Sequence, residues 1–297
     1  MRFVLAGGSG FLGTAWRDHL AREGHQVVRL VRGPALSSDE SHWDPYAGEL
    51  DASVIEDADV VANVAGAPLA HWPWTESYKR TFTDSRVATT RTLAEAIARS
   101  DRKPVLLAQS GVAGYGDQGD RILTEDAPID ADTFMAGVVR AWEAASAPAE
   151  EAGGRVVRMR TGVILDRRGG ALKPLVLLFR AGLGGPVGSG RQYFSTMSLL
   201  DWVRAATYLA GRDDARGAYN LTGPGATTNA EFGKELAQRL HRPSLVPVPA
   251  FALDALAGTV SSELLNSTRV EPARLLADGF TFEHPTLGDR LAAALAR

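Results

Sequence analysis

Apolar and polar positions follow two different periods along the first half of this chain. A short apolar run, Phe3-Val4-Leu5-Ala6, leads into glycines, after which Leu12, Trp16 and Leu20 recur at every fourth residue. The run predicts a buried strand, and the fourfold spacing predicts a helix with one apolar face that ends at Gly24. Further strands are predicted over 26–31, 59–64, 104–108 and 155–160. Between them, Val87, Leu93, Ala94 and Ile97 share one face of a helix expected over about 84–99, and Phe134, Val138 and Trp142 mark another. Strand and helix alternating in this way imply parallel strands joined by crossover helices, a doubly wound α/β sheet.

The pattern changes after Val163. Five glycines fall between Gly182 and Gly190, too many for the interior of a helix or strand. Thr228 and Glu231 form a capping box ahead of Phe232, Leu236 and Leu240, Pro272 suits the first turn of another helix, and Leu287, Leu291 and Leu295 define the last one. The expected organisation is a core over 1–163 to which the chain returns at about 195–222, near Tyr219-Asn220-Leu221. A smaller α+β substrate lobe is expected from 164–194 and 223–297.

The glycines carry the first chemical signal. Gly7, Gly10 and Gly13 are spaced three apart between a predicted strand and a predicted helix, and Gly8, Gly10 and Gly13 satisfy the related GxGxxG form. A turn of this kind brings backbone amides and a helix N-terminus up to a dinucleotide pyrophosphate and then lets the helix pack closely on the sheet. The core is therefore read as a Rossmann nucleotide-binding unit, with contacts at Gly7, Gly10, Phe11, Leu12 and Gly13. The end of the second strand indicates the nucleotide. An acid there would accept from a ribose 2′-hydroxyl, whereas this chain has Arg32 after Val31 and no acid before Asp39. The expected cofactor is NADP(H), with Arg32 on the 2′-phosphate.

Composition narrows the remaining classes. The 297 residues carry a net charge of -3, with basic residues scattered, which argues against nucleic acid as a main ligand. The absence of cysteine removes disulfides, thiolate nucleophiles and thiolate metal ligands, and suits a cytoplasmic setting. The first strand starts at once, leaving no room for a signal peptide, and no apolar run approaches the ~20 residues that cross a bilayer. His42, His71, His241 and His284 show no metal-ligand spacing, so no metal is expected.

With these residues in place, the chain resembles the extended short-chain dehydrogenase/reductases. More closely, it is similar to NAD(P)-binding epimerase-family proteins with a C-terminal domain of unknown function. The matching stretches include Gly7 to Gly13, His42-Trp43-Asp44-Pro45, Asn63-Val64-Ala65-Gly66, Ser85-Arg86, Tyr115-Gly116-Asp117, Arg160-Thr161-Gly162-Val163, and Leu183-Gly184-Gly185-Pro186 with Gly190-Arg191-Gln192. The resemblance implies a Rossmann core, an NADP-like cofactor, and cofactor contacts at Trp43, Asn63, Ala65, Gly66, Ser85, Thr161 and Gly162. It supplies no substrate. Two departures stand out. The helix that carries a Tyr-Lys acid–base pair in most extended members has Met135 and Val139 here, and a Trp-Ile-His-x-x-Asp pattern is replaced by Thr196-Met197-Ser198-Leu199-Leu200-Asp201.

Candidate chemistry then falls to other side chains. Ser110 follows a predicted strand at the carboxyl edge where such sheets bind ligands, Tyr115 lies in the next loop, and Arg191 leaves the glycine-rich segment. Each also has a plain structural reading, as turn serine, packed phenol or surface arginine. Trp72 and Trp74 are weaker candidates for lining a pocket. Two functions remain open: an NADP(H)-dependent oxidoreductase or epimerase-like enzyme acting on a small carbonyl, alcohol or sugar-like substrate, and a non-catalytic NADP(H) redox sensor. A homodimer is compatible with either.

Overall fold

The computed structural model describes residues 1–69, 71, 73–242 and 265–296. The chain opens with β1 (Arg2–Ala6), α1 (Phe11–Arg22), β2 (Gln26–Val31), β3 (Glu40–Asp44), β4 (Glu49–Leu50) and α2 (Ala52–Glu56). It continues through β5 (Val60–Asn63), α3 (Glu76–Arg99), β6 (Val105–Gly111), a 3-10 turn (Val112–Tyr115), β7 (Ile122–Leu123), α4 (Phe134–Ala144), α5 (Ala147–Glu151) and β8 (Val156–Thr161). The C-terminal half adds β9 (Val163–Leu165), α6 (Leu172–Arg180), β10 (Tyr193–Phe194), β11 (Thr196–Ser198), α7 (Leu199–Ala210) and β12 (Gly217–Leu221). After these come β13 (Thr227–Thr228), α8 (Asn229–Leu240), β14 (Arg269–Val270), α9 (Ala273–Ala277) and α10 (Leu287–Leu295).

The large sheet runs β12-β8-β6-β5-β1-β2-β3-β4, parallel throughout except for the final β3–β4 pairing. The chain first builds outward from β1 to β2 and β3, then crosses back to β5 on the other side of β1. The strand order therefore reverses between β1 and β5, and their carboxyl ends open a crevice there. Alternate strand residues serve opposite faces. Phe3, Leu5, Val60, Ala62 and Leu107 pack with Trp16 and Leu20 of α1 and Trp202 of α7, while Val4, Ala6, Val61, Leu106 and Ala108 pack with Ile55, Leu93 and Ile97. Burying each Phe or Leu of this kind contributes about 1.5–3 kcal/mol.

Two details differ from the sequence pattern. α3 begins at Glu76, about two turns before the expected residue 84, because Thr75 caps it by accepting from Tyr78 N–H. Pro272 is the residue before α9 rather than within its first turn. The Thr228–Glu231 capping box is present, and β12 contains Tyr219-Asn220-Leu221 as the edge strand of the large sheet. A separate apolar cluster joins Leu172, Val176 and Phe179 of α6 to Phe232 and Leu236 of α8 and Leu291 of α10. The part of the expected substrate lobe over 243–264, and Trp72, lie outside the described residues. Among the described residues no helix is long and apolar enough to cross a membrane.

Candidate active site and nucleotide cleft

The crevice at the β1–β5 reversal is a cleft of about 660 Å³, floored by Gly7, Gly8, Ser9 and Gly10. Gly7 has φ +83, and a Cβ there would lie 2.6 Å from Ala65 N, so only glycine lets the turn pass the end of β5 this closely. Gly10 N–H closes the turn on Gly7 O at 3.0 Å. No side chain caps α1, whose N-cap is Gly10, so the amides of its first turn are left to a ligand with the helix dipole behind them. A Cβ at Gly13 would sit 2.1 Å from Gly7 O, which gives the third glycine its packing role.

One end of the cleft is bounded by Val31, Arg32, Gly33, Trp43 and Tyr46. Two arginines reach it, and their surroundings differ. Arg29 is paired with Glu40 at 2.8 Å and Asp39 at 3.3 Å, so the nearby acids are already matched. Arg32 is exposed and makes no ion pair with the described residues. Trp43 is buried and lines the cleft, while the turn after it is held by Asp44 Oδ1, which accepts from Tyr46 and Ala47 N–H. This end of the cleft therefore offers an unmatched guanidinium, among the described residues, beside an apolar wall.

The opposite wall is built by the 64–67 turn and α3. Ala65, Gly66 and Ser85 line it, and Ser85 Oγ accepts from Ala67 N–H at 2.9 Å. Asn63, expected as a cofactor contact, lies behind the wall instead. It is fully buried, its Nδ2 donates to Thr89 and Thr90, and its Oδ1 accepts from Ala65 N–H, so it shapes the turn from below. Phe11 packs under Gly169 and Leu12 joins the core, so these two can offer a ligand their amides rather than their side chains. Thr161 and Gly162 stand away from the cleft. Thr161 Oγ1 accepts from Trp202 Nε1 at 3.0 Å, and Gly162 allows close passage of Ser195 O, where a Cβ would lie 2.7 Å away.

Ser110 and Tyr115 are brought together, but inside a sealed network. Ser110 Oγ donates to Glu143 Oε1 at 2.7 Å, and Glu143 takes two bonds from Arg160, at 2.8 and 3.0 Å. Arg160 Nη1 donates to the Tyr115 hydroxyl at 2.9 Å, and that hydroxyl donates to Asn220 Oδ1 at 2.8 Å. Ser110 and Tyr115 are both at most 2% exposed. Burial pushes the Tyr115 phenol above its ordinary value of 10.0 even though Arg160 pulls it down. Burial also works against the Arg160 charge, but the Glu143 bonds more than offset it and raise that group. A phenol so held is a poor proton donor at neutral pH. Arg191 is exposed on the glycine-rich segment, apart from this network, with its N–H on Ser189 Oγ at 3.3 Å. Val139 is buried against Gly114, so α4 offers no group where a Tyr-Lys pair would stand. Sequence reasoning did not weigh Glu143, Arg160 or Asn220 as site residues, since nothing in their spacing announces partners so far along the chain.

The second departure from the family pattern is also filled by rearranged contacts. Ser198 caps α7, His284 Nδ1 lies 2.9 Å from its Oγ, and Asp201 accepts from the N–H groups of Glu283 and His284. Thr196 accepts from the buried Arg290 guanidinium at 3.2 Å. Serine and aspartate both face Nδ1 of His284, so the imidazole does not relay between them.

With that geometry in hand, the comparisons with known proteins are specific. Residues 3–149 match the model of the NAD dependent epimerase/dehydratase family, and 248–294 match a domain of unknown function, DUF1731. An epimerase family protein of Mycobacterium bovis is 38% identical over 99% of this chain and 97% of its own length. The human epimerase family protein SDR39U1 is 34% identical over the full length of both chains. A crystal structure of that human protein with NADPH superposes with a TM-score of 0.89, at 32% identity over 99% of each chain. The chain thus belongs to the epimerase family of extended short-chain dehydrogenase/reductases, in the group that ends in DUF1731.

Proposed function

We propose that this protein binds NADP(H) in the cleft at the β1–β5 reversal and acts as an oxidoreductase or epimerase-like enzyme on a small carbonyl, alcohol or sugar-like substrate. The observation that carries the reading is the pairing of an uncapped helix N-terminus over a glycine turn with an unmatched Arg32 at the far end, while Arg29 consumes both local acids. The human relative solved with NADPH supports it. In this reading 1–163 and the return at 195–222 carry the cofactor, and 164–194 with 223–297 shape the substrate side. When bound, the cofactor supplies hydride transfer; the chain's own residues bind, orient and exclude water.

Ser110 and Tyr115 serve this reading best as the framework of the substrate side, since both hydroxyls are engaged. The same observation favours a second reading, an NADP(H) sensor without turnover, because Met135 and Val139 leave α4 with no acid–base pair. Calorimetric titration with NADPH and NADH tests the cofactor assignment. A charge-assisted contact is worth about 1.5–3 kcal/mol, so NADPH should bind about 10–100-fold more tightly, and Arg32→Ala should abolish that preference. Equal affinities, or a preference untouched by Arg32→Ala, would sink it. Screening a carbonyl and sugar-nucleotide panel for NADPH oxidation then separates the readings: turnover supports the enzyme, and a saturated but inert protein supports the sensor.

A further inference from the structure

Several buried or half-buried arginines among the described residues are well supplied with acceptors. Arg155 donates to three backbone carbonyls, Arg160 to Glu143, Tyr115 and Glu125 O, and Arg290 to Thr196 and the carbonyls of His284, Pro224 and Pro285. Arg86 on α3 differs. Its one side-chain hydrogen bond to the described residues runs from Nη1 to Phe82 O at 2.9 Å, in the preceding turn of its own helix. A guanidinium carries five N–H donors, and no carboxylate of the described residues acts on this one. Burial pushes its pKa down to about 10, which leaves it charged at neutral pH. Its remaining donors are not among the fully buried, unsatisfied polar atoms of the described residues, so they keep some contact with solvent.

The surroundings fix where that group would sit. The guanidinium lies 3.4 Å from the centre of the Phe82 ring and 5.0 Å from that of Trp142, which holds its plane and offsets part of the desolvation. Gly66, on the cleft wall, is pressed against it, and a Cβ there would be 3.3 Å from Cζ and Nη1. Its chain neighbour Ser85 and, two turns earlier on α3, Tyr78 both line the cleft. The Trp74 ring packs behind this wall, 4.8 Å from Phe82. The glycine turn and Arg32 already provide for a nucleotide's phosphates, so Arg86 is surplus to that task.

We propose that Arg86, set just behind the cleft wall at Gly66 and Ser85, anchors an anionic group of the substrate, a carboxylate or a phosphate, at that end of the cleft. The planar fork suits either oxyanion in a two-bond geometry, which lysine cannot reproduce. The assignment rests on the NADP(H) reading of the cleft, and the experiment keeps the two apart. NADP+-saturated protein is titrated by calorimetry with oxalate and, separately, with inorganic phosphate, for wild type, Arg86→Lys and Arg86→Met, each checked by circular dichroism. At least one anion should bind wild type, about tenfold or more weaker in Arg86→Met and intermediate in Arg86→Lys, with NADP+ affinity unchanged. The oxalate and phosphate arms distinguish the two oxyanion classes. Neither anion binding wild type, or equal binding by Arg86→Lys, would overturn the proposal. So would a loss of NADP+ affinity in either variant, which would give Arg86 to the cofactor. If wild type fails to bind NADP+, the cofactor reading fails instead, and the same anion titrations on cofactor-free protein decide Arg86 by themselves.

Discussion

A methyl group added at Gly10 would meet only Gly7 O, at 3.3 Å, whereas one added at Gly13 would lie 2.1 Å from the same oxygen. Packing of α1 on the turn thus requires Gly13, whereas Gly10 is expected to matter through the ligand. Gly10→Val is expected to fold with a near-normal Tm and to lose at least about tenfold in NADPH affinity. Gly13→Val is expected to lose several kcal/mol of stability, because the colliding atoms are backbone and cannot swing aside. Thermal melts with NADPH titration of both variants check this, and equal destabilisation would refute the division of roles. The glycine spacing was legible in the sequence because its consequences all fall within one turn of chain. Asn63 and Tyr115 were not legible in the same way. The amide of Asn63 is answered by Thr89 and Thr90, and the phenol of Tyr115 by Asn220 and Arg160, through contacts that only the folded sheet creates.

At the scale of elements, α4 shows what periodicity reveals and what it omits. Val138 and Trp142 lie on its buried face as the spacing predicts, but its chief polar contribution is Glu143, which ties the helix to β8 through Arg160 and to β6 through Ser110. Removing one member of a buried pair leaves the other charge uncompensated, at a cost of about 3–5 kcal/mol. Glu143→Ala should therefore destabilise by roughly that amount in urea titrations, since Arg160 and the Ser110 hydroxyl both lose an acceptor. Glu143→Leu combined with Arg160→Met should recover a large part of the loss, because an apolar pair has no charge to strand. A double variant as unstable as the single one would show that the framework depends on the network's other bonds. The early start of α3 escaped the pattern for a related reason. Its first two turns mix Lys79 and Arg80 with Tyr78 and Phe82, and Thr75, which caps it, is read as a cap only once Tyr78 N–H is seen to reach it.

Across the whole molecule, the doubly wound sheet was legible because its central strands β1, β5 and β6 are almost wholly buried and the helices α1, α3 and α4 are long. The C-terminal half yielded less, since β9, β10, β11, β13 and β14 have only two or three residues each and carry no readable period. Polar contacts join these parts, and Glu125 makes one such link. It follows β7, is 9% exposed, and accepts from Asn220 N–H of β12 at 3.0 Å and from Arg274 N–H of α9 at 3.3 Å. Burial pushes its carboxyl above the usual 4.5, although these N–H groups and Arg274 pull the other way. A raised pKa means that the folded state holds this proton more tightly than the unfolded chain does. The resulting stability is fully present below about pH 4.5 and is lost as pH rises through the folded value. Glu125→Gln keeps an acceptor oxygen for the two N–H groups and removes the titration. Wild type should thus be at its most favourable relative to Glu125→Gln near pH 4.5 and should fall relative to it toward about pH 7, in urea denaturation at both values. The opposite slope, with wild type gaining on the variant as pH rises, would mean that the bonds from Asn220 and Arg274 outweigh burial. Glu125 would then join the two parts of the molecule as a stabilised carboxylate, not as one strained by its surroundings.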